Sequence, residues 1–207
     1  MLNQTADLGD SILSIATDNG FFWETVWNHP QNAQLKALRK DPTLLAPGDS
    51  VFVPDLRKQV ETRPTDARHI FKRKGVPAKL RIQLRVLGEP RANEPYVLNI
   101  DGTIFQGNTD GNGVVEQFIP PNAKGGELRL NGGKEVIPVK IGYLNPIDIL
   151  SGVQQRLNNL GIYCGSEEGD MNDDTAAALR RFQQKYGLPV TGNADAATKA
   201  KLQQLHP

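Results

Sequence analysis

Glu167, Glu168 and Asp170 place three carboxylates within four residues, the densest acidic cluster outside the segment 57–77. Paired carboxylates hydrolyse a glycosidic bond only when an apolar pocket keeps one of them protonated near neutral pH. A polar loop that crowds three acids together supplies no such pocket, so a solvated turn is expected. Cys164 is the single cysteine and has no histidine beside it in sequence, so a small packed residue is expected rather than a nucleophile. The three histidines, His29, His69 and His206, fall in three different regions with no HxH, HxxxD or HExxH spacing. A zinc site would therefore have to gather its ligands from afar. Asp110 and Asn112 sit among glycines, but the terminal Glu of a twelve-residue calcium loop is missing and a hairpin turn is the expectation. Nothing in these spacings points to a catalyst, a cofactor or a metal.

The elements that would position these residues are of three kinds. From 146 onward the pattern is helical. Ile149, Val153, Leu157 and Leu160 recur at three- and four-residue steps on one face, and Gly161 ends that helix. Thr175 is the expected cap of a second helix with the stripe Leu179, Phe182 and Tyr186, stopped by Gly187 and Pro189. A third helix is expected from near Ala194, carrying Ala197, Ala200, Leu202 and Leu205.

Between Ala78 and Ile141 the period shortens to two. Leu80, Ile82, Leu84 and Val86 alternate with Arg81, Gln83 and Arg85, as in a half-buried strand with a basic wet face. Asp101-Gly102 is a strong hairpin signal between Tyr96–Ile100 and Thr103–Gly107. Further runs at Val114–Pro120, Glu127–Leu130 and Val136–Ile141 complete a small antiparallel sandwich, expected to space and orient its neighbours.

At the N-terminus, Asp10 or Ser11 can cap a helix that buries Ile12, Ile15 and Ala16. Pro47-Gly48 turns the chain into a strand on which Val51 and Val53 point inward. A charged helix is expected over Gln34–Lys40. Phe21, Phe22, Trp23, Val26 and Trp27 have two readings. They fill the core of a module of some fifty residues, or Trp23 or Trp27 stacks on a sugar face.

Each end resembles a known family. Gly9-Asp10-Ser11-Ile12-Leu13-Ser14-Ile15-Ala16 with Gly20, then Leu45-x-Pro47-Gly48-Asp49-x-Val51-x-Val53-Pro54, resembles a LysM domain. That resemblance implies a βααβ fold with a glycan groove between Gly9, Asp10, Ser11, Ile12 and the turn Leu45, Ala46, Pro47, Gly48, where backbone amides meet N-acetyl groups. Val153-Gln154-Gln155-Arg156-Leu157 with Leu160-Gly161, then Thr175, Ala178-Leu179, Phe182-Gln183 and Gly187-Leu188-Pro189, resembles the three-helix peptidoglycan-binding domain. There Tyr163, Asp170 and Arg181 are the candidate rim residues, Tyr163 as a stacking face and the two charges as partners of stem-peptide termini. The string around Thr109–Pro120 is similar to transthyretin-like or carboxypeptidase-regulatory domains.

The expected fold is therefore a multidomain α+β chain. It has a LysM-like domain over 1–56, a basic linker over 57–77, an antiparallel β-sandwich over 78–145 and a three-helix domain over 146–207. The net charge of +1 over 207 residues excludes a strongly electrostatic partner such as duplex DNA. Ten Lys or Arg residues do cluster between Arg57 and Arg85, including Lys72-Arg73-Lys74. Such a run is a solvated linker, or an attractor for carboxylates or phosphate-bearing polymer.

No run approaches the ~18 apolar residues of a membrane span, and Met1–Asp7 lacks the basic start and apolar run of a secretory signal. The expected function is non-catalytic binding of peptidoglycan, as cargo or accessory factor of a contractile machine that crosses an envelope. On that reading the chain is made in the cytoplasm and reaches the periplasm or wall by a route that reads no signal peptide. The competing expectation is a structural adaptor of a contractile tail or secretion apparatus, with phage-tail-like proteins as partners.

Overall fold

A computed structural model describes residues 2–56, 62–68, 70 and 77–206. His69, Lys72-Arg73-Lys74 and most of the linker's basic run lie outside the described residues. The backbone falls into two compact units. One holds the described residues up to Thr43 and from Pro47 to Gly142; the other holds Leu44–Ala46 and the described residues from Tyr143 onward.

The first unit opens with strand β1 (Leu2–Thr5), helices α1 (Ile12–Asp18) and α2 (Trp23–Trp27), a single 3-10 turn at Pro30–Asn32, helix α3 (Ala33–Arg39) and strand β2 (Ser50–Val53). Ser11, not Asp10, caps α1: its hydroxyl accepts from the Ser14 N–H, and the Ser14 hydroxyl takes the Ser11 N–H in return. α3 ends at Arg39, one residue before the expected Lys40, because Lys40 turns left-handed at φ 62°. β1 and β2 pair antiparallel from Leu2↔Val53 to Thr5↔Ser50. Ile12, Ile15, Ala16, Val26 and Val51 form the core, and Trp27 joins them with 5% of its surface exposed. Trp27 is thus a core residue, whereas Trp23 is half-buried and Phe22 exposed.

Asn32 ties this module together. Its amide donates to the carbonyls of Val26 and Phe52, and its oxygen accepts the Phe52 N–H, each at 2.8 Å. Both backbone groups of Phe52 on the outer edge of β2 are thereby satisfied without a third strand. Arg39 makes a buried two-point ion pair with Asp49, at 2.7 and 2.9 Å, which anchors the end of α3 to the turn before β2.

The same unit continues with β3 (Ala78–Gln83), β4 (Arg85–Val86), β5 (Glu89–Pro90), β6 (Pro95–Ile100), β7 (Thr103–Asn108), β8 (Val114–Ile119), β9 (Gly125–Leu130) and β10 (Glu135–Lys140). Four strands form a sheet in the order β10-β9-β6-β7, and β3 pairs with β8. Leu98, Ile100, Val115, Ile119, Leu128 and Leu130 fill the core. The Asp101-Gly102 hairpin forms as read: both residues have positive φ, 46° and 85°, and join Ile100 to Thr103.

Two strand expectations need correction. The run Leu80–Val86 is broken after Gln83, because Leu87 and Gly88 turn left-handed and fold Arg85–Val86 back on Glu89–Pro90. The turn at Asp110–Gly113 is not a hairpin between sheet neighbours. β8 leaves β7 and pairs with β3, from Gln83↔Val114 to Ala78↔Ile119. The Asp110 carboxylate holds that turn through the N–H groups of Asn112 and Val114, at 2.8 Å each. Gly113 passes so close to the residue that follows β3 that a Cβ there would sit 2.5 Å from the Leu84 carbonyl. Arg91, gripped by Glu94 and Glu135, fastens the start of β6 to β10.

The second unit packs α4 (Leu150–Asn159), α5 (Asp173–Lys185) and α6 (Ala196–Leu205) around Val153, Leu157, Cys164, Ala178, Leu179, Phe182 and Leu202. α5 starts two residues before Thr175. Asn172 is its cap, accepting the Thr175 N–H at 2.8 Å. On α6 the buried residues are Thr198 and Leu202; Ala197 and Ala200 are exposed, contrary to the expected stripe. The helix starts at Ala196 rather than Ala194, capped by Asp195, and the Thr198–Leu202 side faces inward.

Candidate functional site

Two buried glutamines organise the loops of the helical unit. Gln154 on α4 accepts the Gly169 N–H at 2.8 Å and donates to the Asp170 carbonyl and the Thr175 hydroxyl, both at 2.9 Å. Gln183 on α5 repeats the arrangement. It accepts the Gly192 N–H and donates to the Asn193 carbonyl and the Thr198 hydroxyl, each at 2.9 Å. Asn172 and Asp195 then cap the following helices through the N–H groups of Thr175 and Thr198. Gly-Asp-x-Asn-x-x-Thr at 169–175 and Gly-Asn-x-Asp-x-x-Thr at 192–198 are thus one repeated device. Reading for apolar stripes alone misses it, although the doubled spacing is visible in the sequence.

The first of these loops carries the expected rim residues. Tyr163 is 70% exposed, and its carbonyl accepts a hydrogen bond from Arg181 Nη2 at 2.7 Å. The helix residue and the loop aromatic are therefore brought together, with the phenol ring open to solvent. Asp170 is exposed; its backbone is held by Gln154, which leaves its side chain outward at the rim. Glu167 and Glu168 are exposed as well, and Glu167 accepts from Asn158 Nδ2 at 2.9 Å. Cys164 lies fully buried beneath the loop, where desolvation pushes its thiol above the ordinary value. It is a packed residue. Arg156 is buried too, its guanidinium directed at the carbonyls of Asn145, Gly152 and His206, and loss of hydration lowers its affinity for the proton.

The N-terminal candidates are placed differently. Gly9, Ser11, Ile12, Leu45 and Ala46 are buried, while Pro47 and Gly48 are exposed. Asp10 is half-buried, and its carboxylate accepts from Lys124 Nζ at 3.1 Å and from the Asp7 N–H at 3.0 Å. Gly9 lies against Gly142, where an added Cβ would stand 2.4 Å from the Gly9 carbonyl. Asn122 donates to Asp18 at 2.8 Å on the same flank. Gly9 and Asp10, at the start of the loop that the LysM resemblance assigns to a glycan, are thus contacted by Gly142 and Lys124.

No group of three or more His, Cys, Asp or Glu able to hold a metal ion occurs among the described residues. Among them, no helix is long and apolar enough to cross a membrane.

Comparison with known proteins agrees with the helical unit. Residues 150–202 match the family described as peptidoglycan binding domain. Two proteins named spore cortex-lytic enzyme, both from Bacillus cereus, are 48% identical to this chain over 50 residues, which is 24% of this chain and 19% of each relative. The chain thus spans about a fifth of the length of those curated relatives. Residues 150–202 thus match a peptidoglycan-binding domain, in a chain whose remaining described structure is mixed α/β with antiparallel sheets.

Proposed function

We propose that this chain attaches to peptidoglycan through its three-helix unit, without catalysis, and that the contact surface is the loop 161–172 with Tyr163, Asp170 and Arg181. The observation that carries this is the family match over 150–202, combined with an open aromatic and a cation fixed beside it. An exposed ring offers a face to sugar C–H groups. A guanidinium beside it meets the carboxylates of stem peptides. The division into a head over 1–56, a linker over 57–77, a sandwich over 78–145 and a tail over 146–207 belongs to this reading. Delivery by an envelope-crossing contractile machine, with the chain as cargo or accessory factor, is its extension.

A second reading, a protein-contact adaptor in such an apparatus, is favoured by one observation. The head's loop residues Gly9, Ser11 and Ile12 are buried, and Asp10 is half-buried and held by Lys124. Co-sedimentation of the full chain with insoluble sacculi, at low salt and at ~0.3 M salt, separates the two. The binding reading expects salt-resistant pelleting that Tyr163→Ala with Arg181→Ala weakens. A chain that stays in the supernatant at both salts rejects it and turns the search to protein partners.

A further inference from the structure

A strand at the edge of a sheet carries unpaired N–H and C=O groups, and native edges are normally blunted by proline, charge or cover. The edges of this molecule differ in that respect. Asn32 already satisfies Phe52 on the outer edge of β2. β10, at one end of the four-stranded sheet, carries Pro138 between Glu135 and Lys140. β3 carries Lys79 and Arg81, and β8 carries Glu116. β7, at the other end of the four-stranded sheet, reads Thr-Ile-Phe-Gln-Gly-Asn, with no charge and no proline.

The hairpin fixes which of its backbone groups are spent. The two-residue turn at Asp101-Gly102 makes Ile100↔Thr103 the first hydrogen-bonded pair of the β6–β7 ladder. Phe105 and Gly107 then also turn their N–H and C=O toward β6, opposite Leu98 and Tyr96. The phase agrees with the other side of β6, where the Asp101 N–H donates to the Gly125 carbonyl of β9. Ile104, Gln106 and Asn108 therefore turn theirs outward, and none of these groups meets a partner among the described residues. All three residues are exposed, Ile104 by 63%.

This edge is complementary to itself. Two copies of β7 laid antiparallel about Gln106 put Gln106 opposite its own image, Ile104 opposite Asn108 and Phe105 opposite Gly107. That register joins only outward-facing backbone groups, about six hydrogen bonds in all. Every pair joins residues of the same parity, so the buried faces of both sheets stay on one side. Phe105 and Gly107 form close pairs without hydrogen bonds between them. A side chain at Gly107 would crowd Tyr96, since an added Cβ stands 3.0 Å from its hydroxyl. The bare strip left there is what the partner's ring covers. No like charges meet along the strand, and the carboxylates beyond its ends, Asp101 and Asp110, are engaged with backbone N–H groups of their own copy. An unrelated strand satisfies the same backbone groups without matching ring to glycine twice.

We infer that β7 is a self-association edge, through which two copies of this chain join their four-stranded sheets into one continuous sheet about a two-fold axis at Gln106. A contact of one strand pair is small, so the dimer is weak and depends on concentration. The inference is independent of the wall-binding reading. If both hold, each dimer carries two three-helix units and gains affinity for a polymer by avidity.

Sedimentation velocity of the full chain from ~5 to ~500 µM tests it, a range suited to a small interface. The expected result is a monomer–dimer equilibrium with no larger species. Amide hydrogen exchange at Ile104, Gln106 and Asn108 should slow at the upper concentrations only. Gln106→Pro removes an N–H that β6 does not use, so the monomer should fold and the dimer should be lost. Gln106→Lys and Gln106→Glu carry the test if the proline variant fails to fold. Each should weaken the dimer about tenfold by setting like charges opposite each other at the axis, and an equimolar mixture of the two should restore it. A chain that stays monomeric throughout, a dimer untouched by these substitutions, or open-ended growth beyond the dimer overturns the inference. So does a mixture of the two charge variants that stays monomeric where the parent dimerises, because β7 would then meet a different strand.

Discussion

The two glutamine-held loops of the helical unit share a frame and differ in what they carry. In the first, the hydrogen bond from Gln154 to the Thr hydroxyl spans 21 residues; in the second, from Gln183, it spans 15, six fewer. Each glutamine bonds the glycine N–H, the next residue's carbonyl and the threonine hydroxyl. Gln183 adds two bonds to Thr191, one to its hydroxyl and one from its N–H. The second loop is scaffold and little else. The first holds the same scaffold plus an excursion that buries Cys164 as a plug and presents Tyr163 and the acids at the surface. Where an otherwise identical device is lengthened, the extra residues are the natural seat of function.

That contrast can be broken first at the glutamines. Gln183→Ala leaves the Gly192 N–H and the Asn193 carbonyl without their side-chain partner and removes one of two partners from the Thr191 N–H and from the Thr191 and Thr198 hydroxyls, which Pro189 and Asp195 still hold. With roughly 1–3 kcal/mol for each buried group left unpaired and partial rescue by water, we expect a loss of about 3 kcal/mol in chemical denaturation. Gln154→Ala strands fewer groups, next to a loop already open to solvent, and should cost about 2 kcal/mol. Equal losses would show that the extra Thr191 bonds contribute nothing.

Function should respond in the opposite sense. Tyr163→Ala changes stability by less than about 0.5 kcal/mol, since the ring is exposed. It should weaken sacculus pelleting up to about tenfold, in line with roughly 0.5–1.5 kcal/mol for an aromatic contact. A substitution on the second loop at exposed Val190 should leave pelleting unchanged.

The smallest effect separates the caps. Asn172 does not titrate, whereas Asp195 does, and the Thr198 N–H followed by the Thr198 and Thr191 hydroxyls holds its carboxyl below the ordinary 3.8. A carboxyl depressed on folding stabilises fully above its unfolded value and loses that stabilisation as pH falls through the folded one. Glu135, lowered from its ordinary 4.5 chiefly by its hydrogen bond with Arg91, acts in the same direction in the sandwich. Thermal scans from pH 6 down to pH 3 should show the α6 cap weakening below about pH 4 in the parent. The Asp195→Asn variant should be flatter over that window. A parallel loss in both proteins would remove Asp195 from the account.

Much of the helical unit was open to reading from its residues. The steps of Val153 and Leu157, the stop at Gly161 and the second stop at Gly187 are local properties of a helix, set by side-chain spacing and glycine's access to positive φ. Tyr163 and Arg181 could be nominated by residue type, yet their meeting depends on a hydrogen bond across 18 positions. The stripe expected on α6 failed because Thr198 and Leu202, one turn apart, face the core, while Ala197, Ala200 and Leu205 face solvent.

In the sandwich, the Asp101-Gly102 hairpin was legible because two left-handed residues suffice to make it. The partner of β8 was not, since a turn's sequence does not say which distant strand will accept the next one.

What the sequence by itself determined, then, was most of the local elements and the resemblance of the last quarter of the chain to a peptidoglycan-binding domain, because capping, turn chemistry and apolar spacing act over a few residues. Tertiary structure decided which candidate residues stay open. Gly9 lies against Gly142 and Asp10 is held by Lys124, while Tyr163 stands free on its glutamine-held loop. Exposure depends on what packs on top, and that is fixed by contacts between residues more than a hundred positions apart, such as Asp10 with Lys124.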